Sequence, residues 1–395
     1  MTMKLFLNEC GIVCALGQGV DEVRQRLFAG ASGVLPTSAW SPGRTLPLGC
    51  VTAALPDAAL LPLTERSRNN QLALAALAQI RPAVDAAIAL YGRLRVGVVI
   101  GTSTSGVAET ESAIAAHAAS GALPPHFHYG QQEMGSPAAM LARELGISGP
   151  AYVHSSACAS GAKALAAAAR MIRMGLCDAV VAGGVDSLCA FTVAGFSALE
   201  SVSAERCNPL SANRRGINIG EGAALFLMSR APATVVLCGW GEASDGYHMS
   251  APDPAGGGAR LAMNEALARA GIGPGQVDYI NLHGTATVQN DAMESRAVAE
   301  LFGTDVAVSS TKSLTGHALG AAAALEAAFC WIALQDDNAE GLLPPHLWDG
   351  VQDAALPALC TVAPGQRLGR PLRWTLSNSF AFGGACAALV LGRAA

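Results

Sequence analysis

A cysteine and two histidines, each set among glycine, alanine and hydroxyl residues, are the side chains here whose types and spacing could do chemistry. Cys158 lies in Ser156-Ala157-Cys158-Ala159-Ser160, ahead of a stretch at 159–174 dense in good helix formers that stops at Gly175. A thiol at a helix start meets unpaired backbone N–H groups and the positive end of the helix dipole, which is expected to lower its pKa below about 8.5. The preceding 151–156 reads as a short strand, so Cys158 would occupy a strand-to-helix turn resembling a nucleophile elbow in purpose, although no G-x-S-x-G is present. Its small neighbours leave room for a substrate carbonyl and bring backbone N–H groups near it, the requirements of acyl transfer through a cysteine nucleophile.

His283 ends an apolar run, Tyr279-Ile280-Asn281-Leu282, and is followed by Gly284-Thr285-Ala286-Thr287. His317 follows Thr311-Lys312-Ser313-Leu314-Thr315-Gly316 and precedes a second alanine-rich helix at 321–331 that contains Glu326. Both histidines would therefore be presented at element ends in Gly- and Thr-rich turns. His117, His126, His128 and His346 lack such settings and read as core or capping residues.

The elements that must hold these groups alternate between apolar strands and helical stretches, the pattern of α/β layers. Strands are expected at 95–100, 151–156, 179–184, 223–228, 234–237, 279–282, 306–309 and 389–391, with a break near 229–233 separating two halves, 1–231 and 232–395. Each half contains a small-residue turn feeding an alanine-rich helix, with Cys158 in one and His317 in the other. Sequence identity does not reveal a repeat between them. Loops rich in Pro and Gly at 245–258 and Gly at 378–384 are expected to gate the site.

The order Ser-Ala-Cys158-Ala-Ser, His283-Gly-Thr-Ala-Thr, Thr311-Lys-Ser-Leu-Thr-Gly-His317 and Asn378-Ser-Phe-Ala-Phe-Gly-Gly resembles the β-ketoacyl-acyl-carrier-protein synthases of the Cys-His-His type. Asn208-Pro-Leu-Ser-Ala-Asn-Arg, Gly220-Glu-Gly, Tyr247-His-Met-Ser-Ala-Pro and Gly101-Thr-Ser-Thr-Ser-Gly add to the likeness, which extends over residues 11–391. The resemblance implies a duplicated thiolase-like αβαβα five-layer α/β fold with the active site where the halves meet. It implies a decarboxylating condensation in which Cys158 takes an acyl group and His283 and His317 donate hydrogen bonds to the enolate of a malonyl thioester. By the same resemblance the N–H groups of Cys158 and Phe382 form an oxyanion hole, and Phe382 gates the acyl pocket. Lys312 pairs with Glu326 to fix the surroundings of the second histidine, and Thr285 and Thr287 bind the pantetheine arm. No cofactor is implied, since the substrates ride on the phosphopantetheine of acyl carrier protein. The partners implied are that carrier and a second synthase subunit, identical or related.

The chain departs from the family pattern at Ala381, Ala385 and Cys386, where Gly, Thr and Asn are usual, so the gate is expected to differ. Lys163 lies where the family carries varied polar residues, and its role stays open. Gly11-Ile-Val-Cys-Ala-Leu-Gly leans toward the condensing enzymes of aryl-polyene clusters rather than those of fatty-acid elongation. Two other readings are a non-catalytic chain-length partner, against which the complete Cys-His-His set speaks, and a thiolase or Cys-His-Asn initiating synthase, against which Gly316-His317 with Lys312 speaks.

With 395 residues, 51% of them hydrophobic and 14% charged, the chain can bury a thick, multilayered core, and 44 glycines allow close helix-to-sheet contacts. Arg170, Arg173 or glycine interrupt the longest alanine-rich runs, so no transmembrane span is expected, and the early charges Lys4 and Glu9 argue against a leader peptide. Eleven cysteines without a CxxC or a Cys/His ligand spacing read as reduced thiols of a cytoplasmic protein without zinc. A net charge of −5 and no basic stripe interleaved with aromatics exclude general attraction to nucleic acid. Docking an acidic carrier then requires a local positive patch, for which Arg66 and Arg68 are candidates.

Overall fold

The computed structural model describes residues 3–394; Met1 and Thr2, which begin the segment read for a leader, lie outside the described residues. Alternating apolar runs form one mixed sheet of twelve strands. Across it lie Cys360–Thr361, Ala307–Ser309, Tyr279–Asn281, Trp374–Phe380, Ala385–Arg393, Val235–Ser244, Phe6–Cys14, Gly222–Ser229, Ala179–Asp186, Val96–Gly101 and Ala151–His154, with Gly17–Gln18 beside Phe6–Cys14.

This order contains a repeat that identity does not display. Outward from Phe6–Cys14, pairing runs antiparallel to Gly222–Ser229, antiparallel to Ala179–Asp186, then parallel to Val96–Gly101 and parallel to Ala151–His154. Outward from Val235–Ser244 the senses are the same, through Ala385–Arg393, Trp374–Phe380, Tyr279–Asn281 and Ala307–Ser309. The two runs touch through the pair Phe6↔Val236. Such a narrow junction lets one run fold over the other and enclose helices between them.

Two helices fill that space. Ser160–Arg173 contacts strands of both runs, as does Ala322–Ala333, and all twelve residues of the latter are buried. A helix that is apolar all round can be stable only in such an interior. The two helices cross closely because Gly161 has no side chain; a Cβ there would lie 2.8 Å from Ala324 N. Arg68–Tyr91 and Ser136–Leu145 cover the outer face of the first run, and Gly257–Ala270 covers the second, completing the αβαβα layers. Contrary to the expectation from composition, Arg68–Tyr91 is long and apolar enough to cross a membrane by length and composition. It nevertheless buries Leu72, Ala76, Ile80 and Val84 against the sheet, the behaviour of a core helix.

Candidate active site

Cys158 arrives at the site by a strained turn. The strand Ala151–His154 ends, Ala157 takes φ 46°, and the helix Ser160–Arg173 begins two residues after the thiol. A left-handed non-glycine residue costs about 1–2 kcal/mol, and the turn is held by Ser160, whose hydroxyl donates to Ala157 O (2.6 Å) and accepts from Ser156 N (2.8 Å). Ala286 (φ 64°) and Leu319 (φ 49°) place similar strain beside the two histidines.

His317 follows Gly316 at φ 71° and is clamped by its own backbone: its N–H donates to Asn218 O (2.6 Å), and its carbonyl accepts from Gly220 N (2.9 Å). His283 is fixed by a carboxylate that sequence reasoning missed. Glu294 accepts from His283 N (2.8 Å), Gly284 N (2.7 Å) and Asn378 Nδ2 (3.1 Å). Its position eleven residues after His283, one face of the next helix turned back on the loop, was the available signal. Asp186, also missed, ties Thr102, Ser103 and Thr104 to Gly320 N, joining the two runs beside His317.

These loops bring Cys158, His283 and His317 together, all buried, with ligand-type atoms within 4.8 Å of one another. His317 Nε2 stands 3.0 Å from Cys158 Sγ, and the two imidazoles meet edge-on with centroids 5.3 Å apart. Linear spacing had indicated no Cys/His cluster; the fold makes one, and a thiol with two imidazoles is also a donor set suited to a soft divalent ion.

The thiol's acidity runs opposite to the sequence expectation. Burial pushes the Cys158 pKa up to about 12, with Lys312 pulling it down and the Asp186 and Glu326 carboxylates pushing it up. A buried thiolate loses more hydration than the helix terminus and Lys312 return. Burial, reinforced by the charge of Lys312, likewise holds His283 and His317 well below the ordinary imidazole value. Both rings are neutral at pH 7, each with one N–H and one basic nitrogen. The resting state is therefore a neutral thiol beside a neutral imidazole.

Lys312 and Glu326 form an ion pair with side chains 2% and 3% exposed. Burial raises Glu326 to about 7 while Lys312 opposes the shift. Lys312 Nζ also donates to His283 O, so the lysine holds the first histidine's loop as well as setting the charge that acts on the second histidine. Thr285 and Thr287 share a 2.9 Å hydrogen bond and line the same cavity as Cys158. Among the described residues the backbone N–H groups of Cys158 and Phe382 have no backbone partner.

The gates differ from expectation in extent. Asn378, Ser379 and Phe380 belong to the buried strand Trp374–Phe380, leaving 381–384 as the loop. That loop bonds the other gate through Gly383 N to Met249 O (2.8 Å) and Asp245 N to Gly384 O (2.9 Å). Phe382 packs on Phe196 with centroids 5.5 Å apart, and the cavity beneath holds only about 50 Å³. Lys163 is half-buried near His154 and Cys386 and makes no side-chain hydrogen bond among the described residues. Arg68 is committed to Glu221 (2.6 and 2.8 Å), which neutralises it as a docking cation, whereas among the described residues Arg66 bonds only the carbonyls of Leu61 and Ala59 and keeps its charge uncompensated.

Comparison with known families matches residues 10–233 to the N-terminal domain and 234–347 to the C-terminal domain of β-ketoacyl synthases. The chain belongs to the β-ketoacyl synthase family. Nodulation protein E of Rhizobium sp. (strain N33) is 32% identical, with 98% of this chain and 99% of that protein covered. The 3-oxoacyl-[acyl-carrier-protein] synthase 2 of Coxiella burnetii (strain RSA 493 / Nine Mile phase I) is also 32% identical, over 99% and 98%. Among solved structures, a chain of the complex of ketosynthase ApeO with its chain length factor ApeC, from Xenorhabdus doucetiae, superposes with a TM-score of 0.92 at 44% identity, covering 99% of this chain and 98% of its own. The αβαβα architecture is thus the thiolase-like fold of ketosynthases.

Proposed function

We propose that this β-ketoacyl synthase condenses an acyl thioester with malonyl-acyl-carrier protein, releasing CO2 and forming a β-ketoacyl-acyl-carrier protein two carbons longer. The observation that carries the reading is the 3.0 Å contact between Cys158 Sγ and His317 Nε2. In the first half-reaction the thiol proton passes to that nitrogen as Sγ attacks the acyl carbonyl. The oxyanion is held by the N–H groups of Cys158 and Phe382, and the carrier leaves as its thiol, taking the proton. In the second, malonyl thioester loses CO2 while ring N–H groups of His283 and His317 hold its enolate oxygen. The carbanion attacks acyl-Cys158, whose sulfur leaves as thiolate and takes up one proton from solvent by way of His317 Nε2, which restores the thiol for the next turnover.

Lys312, Glu326 and Glu294 act as positioning residues for the histidine loops, and Thr285 with Thr287 receives the pantetheine arm. The substrates ride on phosphopantetheine, and the reaction takes no bound cofactor. We assign residues 1–231 and 232–395 as the two thiolase-like halves. The working assembly is a dimer, of this chain or with a related synthase subunit, acting on acyl carrier protein in the cytoplasm. The likeness to the ApeO–ApeC complex supports a place in polyketide-type or aryl-polyene synthesis rather than general fatty-acid elongation. A purely non-catalytic chain-length role is disfavoured by the complete Cys-His-His set.

Intact-protein mass spectrometry after incubation with acyl-carrier thioesters tests the reading. The wild type should gain one acyl mass and Cys158→Ala none; acylation at another cysteine would overturn it.

A further inference from the structure

Far from the thiol, the fold assembles a basic cavity of about 640 Å³ that the condensation does not use. It opens where Arg173 ends the helix whose other end follows Cys158, and that helix of 14 residues is about 21 Å long. Six cations line it: Lys4, Arg173, Arg269, Arg370, Arg373 and Arg393, with no acidic side chain in the wall. Because they come from five separate segments of a chain whose net charge is −5, no basic stripe is visible in the sequence.

Local structure accounts for part of this charge. Arg269 pairs with Glu265, Arg370 with Asp278 (2.6 Å) and Arg393 with Asp336. A helix C-terminus also favours a cation, which bears on Arg269 near the end of Gly257–Ala270 and on Arg173 at the end of Ser160–Arg173, but the dipole supplies neither with a counter-ion. Lys4, Arg173 and Arg373 remain: none has an ion-pair partner among the described residues, and Arg173 Nε is buried without a hydrogen bond. The Arg173 guanidinium lies 4.5 Å from the Trp240 ring centroid and that of Arg269 lies 5.2 Å from it, so two like charges share one ring. Burial and the neighbouring Arg269 accordingly push the Arg173 pKa down. Beneath the cations the floor is apolar, with Val236, Leu237, Cys238 and Trp374.

A half-buried guanidinium without a counter-ion is stabilised by an anion that completes it, and planar guanidinium groups suit phosphate oxygens in paired hydrogen bonds. A cavity of this volume is of small-ligand size, and its floor asks for an apolar or ring-bearing portion. We propose that this cavity binds a multiply charged organic phosphate of nucleotide size, its phosphates on Arg173 and Arg373 and its ring over Trp374.

Isothermal titration with ADP as probe, in low-salt buffer, tests the assignment. Saturable binding with Kd on the order of 10–100 μM is expected. Pyrophosphate, which has the charge without the ring, and adenosine, which has the ring without the charge, should each bind at least about tenfold more weakly. Arg173→Gln and the exposed Arg373→Gln, each verified as folded by its melting curve, should weaken ADP at least about tenfold. Cys158→Ala should leave it unchanged. The assignment is overturned if ADP does not saturate, if pyrophosphate or adenosine binds as tightly, if both arginine variants bind normally, or if Cys158→Ala abolishes binding.

Discussion

At Cys158, burial and catalysis pull in opposite directions. The thiol sits where a thiolate is disfavoured, its pKa near 12, yet a basic imidazole nitrogen lies 3.0 Å from sulfur. Since the raised pKa keeps sulfur protonated at neutral pH, its reactivity should climb as pH rises and show no plateau near 7. Alkylation of Cys158 by iodoacetamide, followed by peptide mass spectrometry, is expected to accelerate continuously through pH 9; saturation below pH 8 would mean a preformed thiolate and a different role for His317. The histidines can be separated in the same way. His283 does not share the sulfur contact, so His283→Ala should depress malonyl decarboxylation by about 10²–10³ while largely sparing acylation. His317→Ala should depress both half-reactions, and equal behaviour of the two variants would refute this division.

Among the elements, the Lys312–Glu326 pair links the short helix Lys312–Thr315 to the core helix Ala322–Ala333 and, through His283 O, to the loop of the first histidine. Removing one member strands a buried charge, so Lys312→Ala should cost roughly 3–5 kcal/mol in denaturant unfolding and lower turnover with it. The double change Lys312→Met with Glu326→Gln should recover most of that stability while condensation stays impaired. A Lys312→Ala protein that unfolds and turns over like the wild type would remove the pair from the account. Elements whose apolar residues recur regularly were legible in the sequence: the helix expected at 159–174 spans Ser160–Arg173, and the run at 279–282 forms Tyr279–Asn281. Trp374–Phe380 was not, because Thr375, Ser377, Asn378 and Ser379 are buried in it and hydrophobic patterning passes over a polar core strand. The residue types and order of Cys158, His283 and His317 could be read from their turns. Glu294, Asp186 and the contact of His317 with sulfur could not, since they depend on how two distant loops close. The thiol's acidity was misjudged for the same reason: the helix start is visible in sequence, but the depth of burial is not.

In the whole molecule the two runs end differently. The fifth strand of the second run, Ala307–Ser309, is covered on its outer side by Cys360–Thr361, whereas its counterpart Ala151–His154 ends the sheet with one edge open. Tyr152, 41% exposed, stands on that edge, and the strand carries neither the proline nor the inward charge by which solitary proteins protect such edges. A second chain pairing here would cover the open edge and brace the segment leading directly to Cys158. Native mass spectrometry should therefore find a two-chain assembly, either of this 40.0 kDa protein alone or with a co-expressed related subunit. Tyr152→Asp, placing a charge on the exposed edge, should shift the population toward single chains and slow acylation of Cys158 as the strand loses its support. If the variant assembles as the wild type does, the interface lies elsewhere; if it separates yet acylates at the normal rate, the edge joins subunits without supporting the nucleophile.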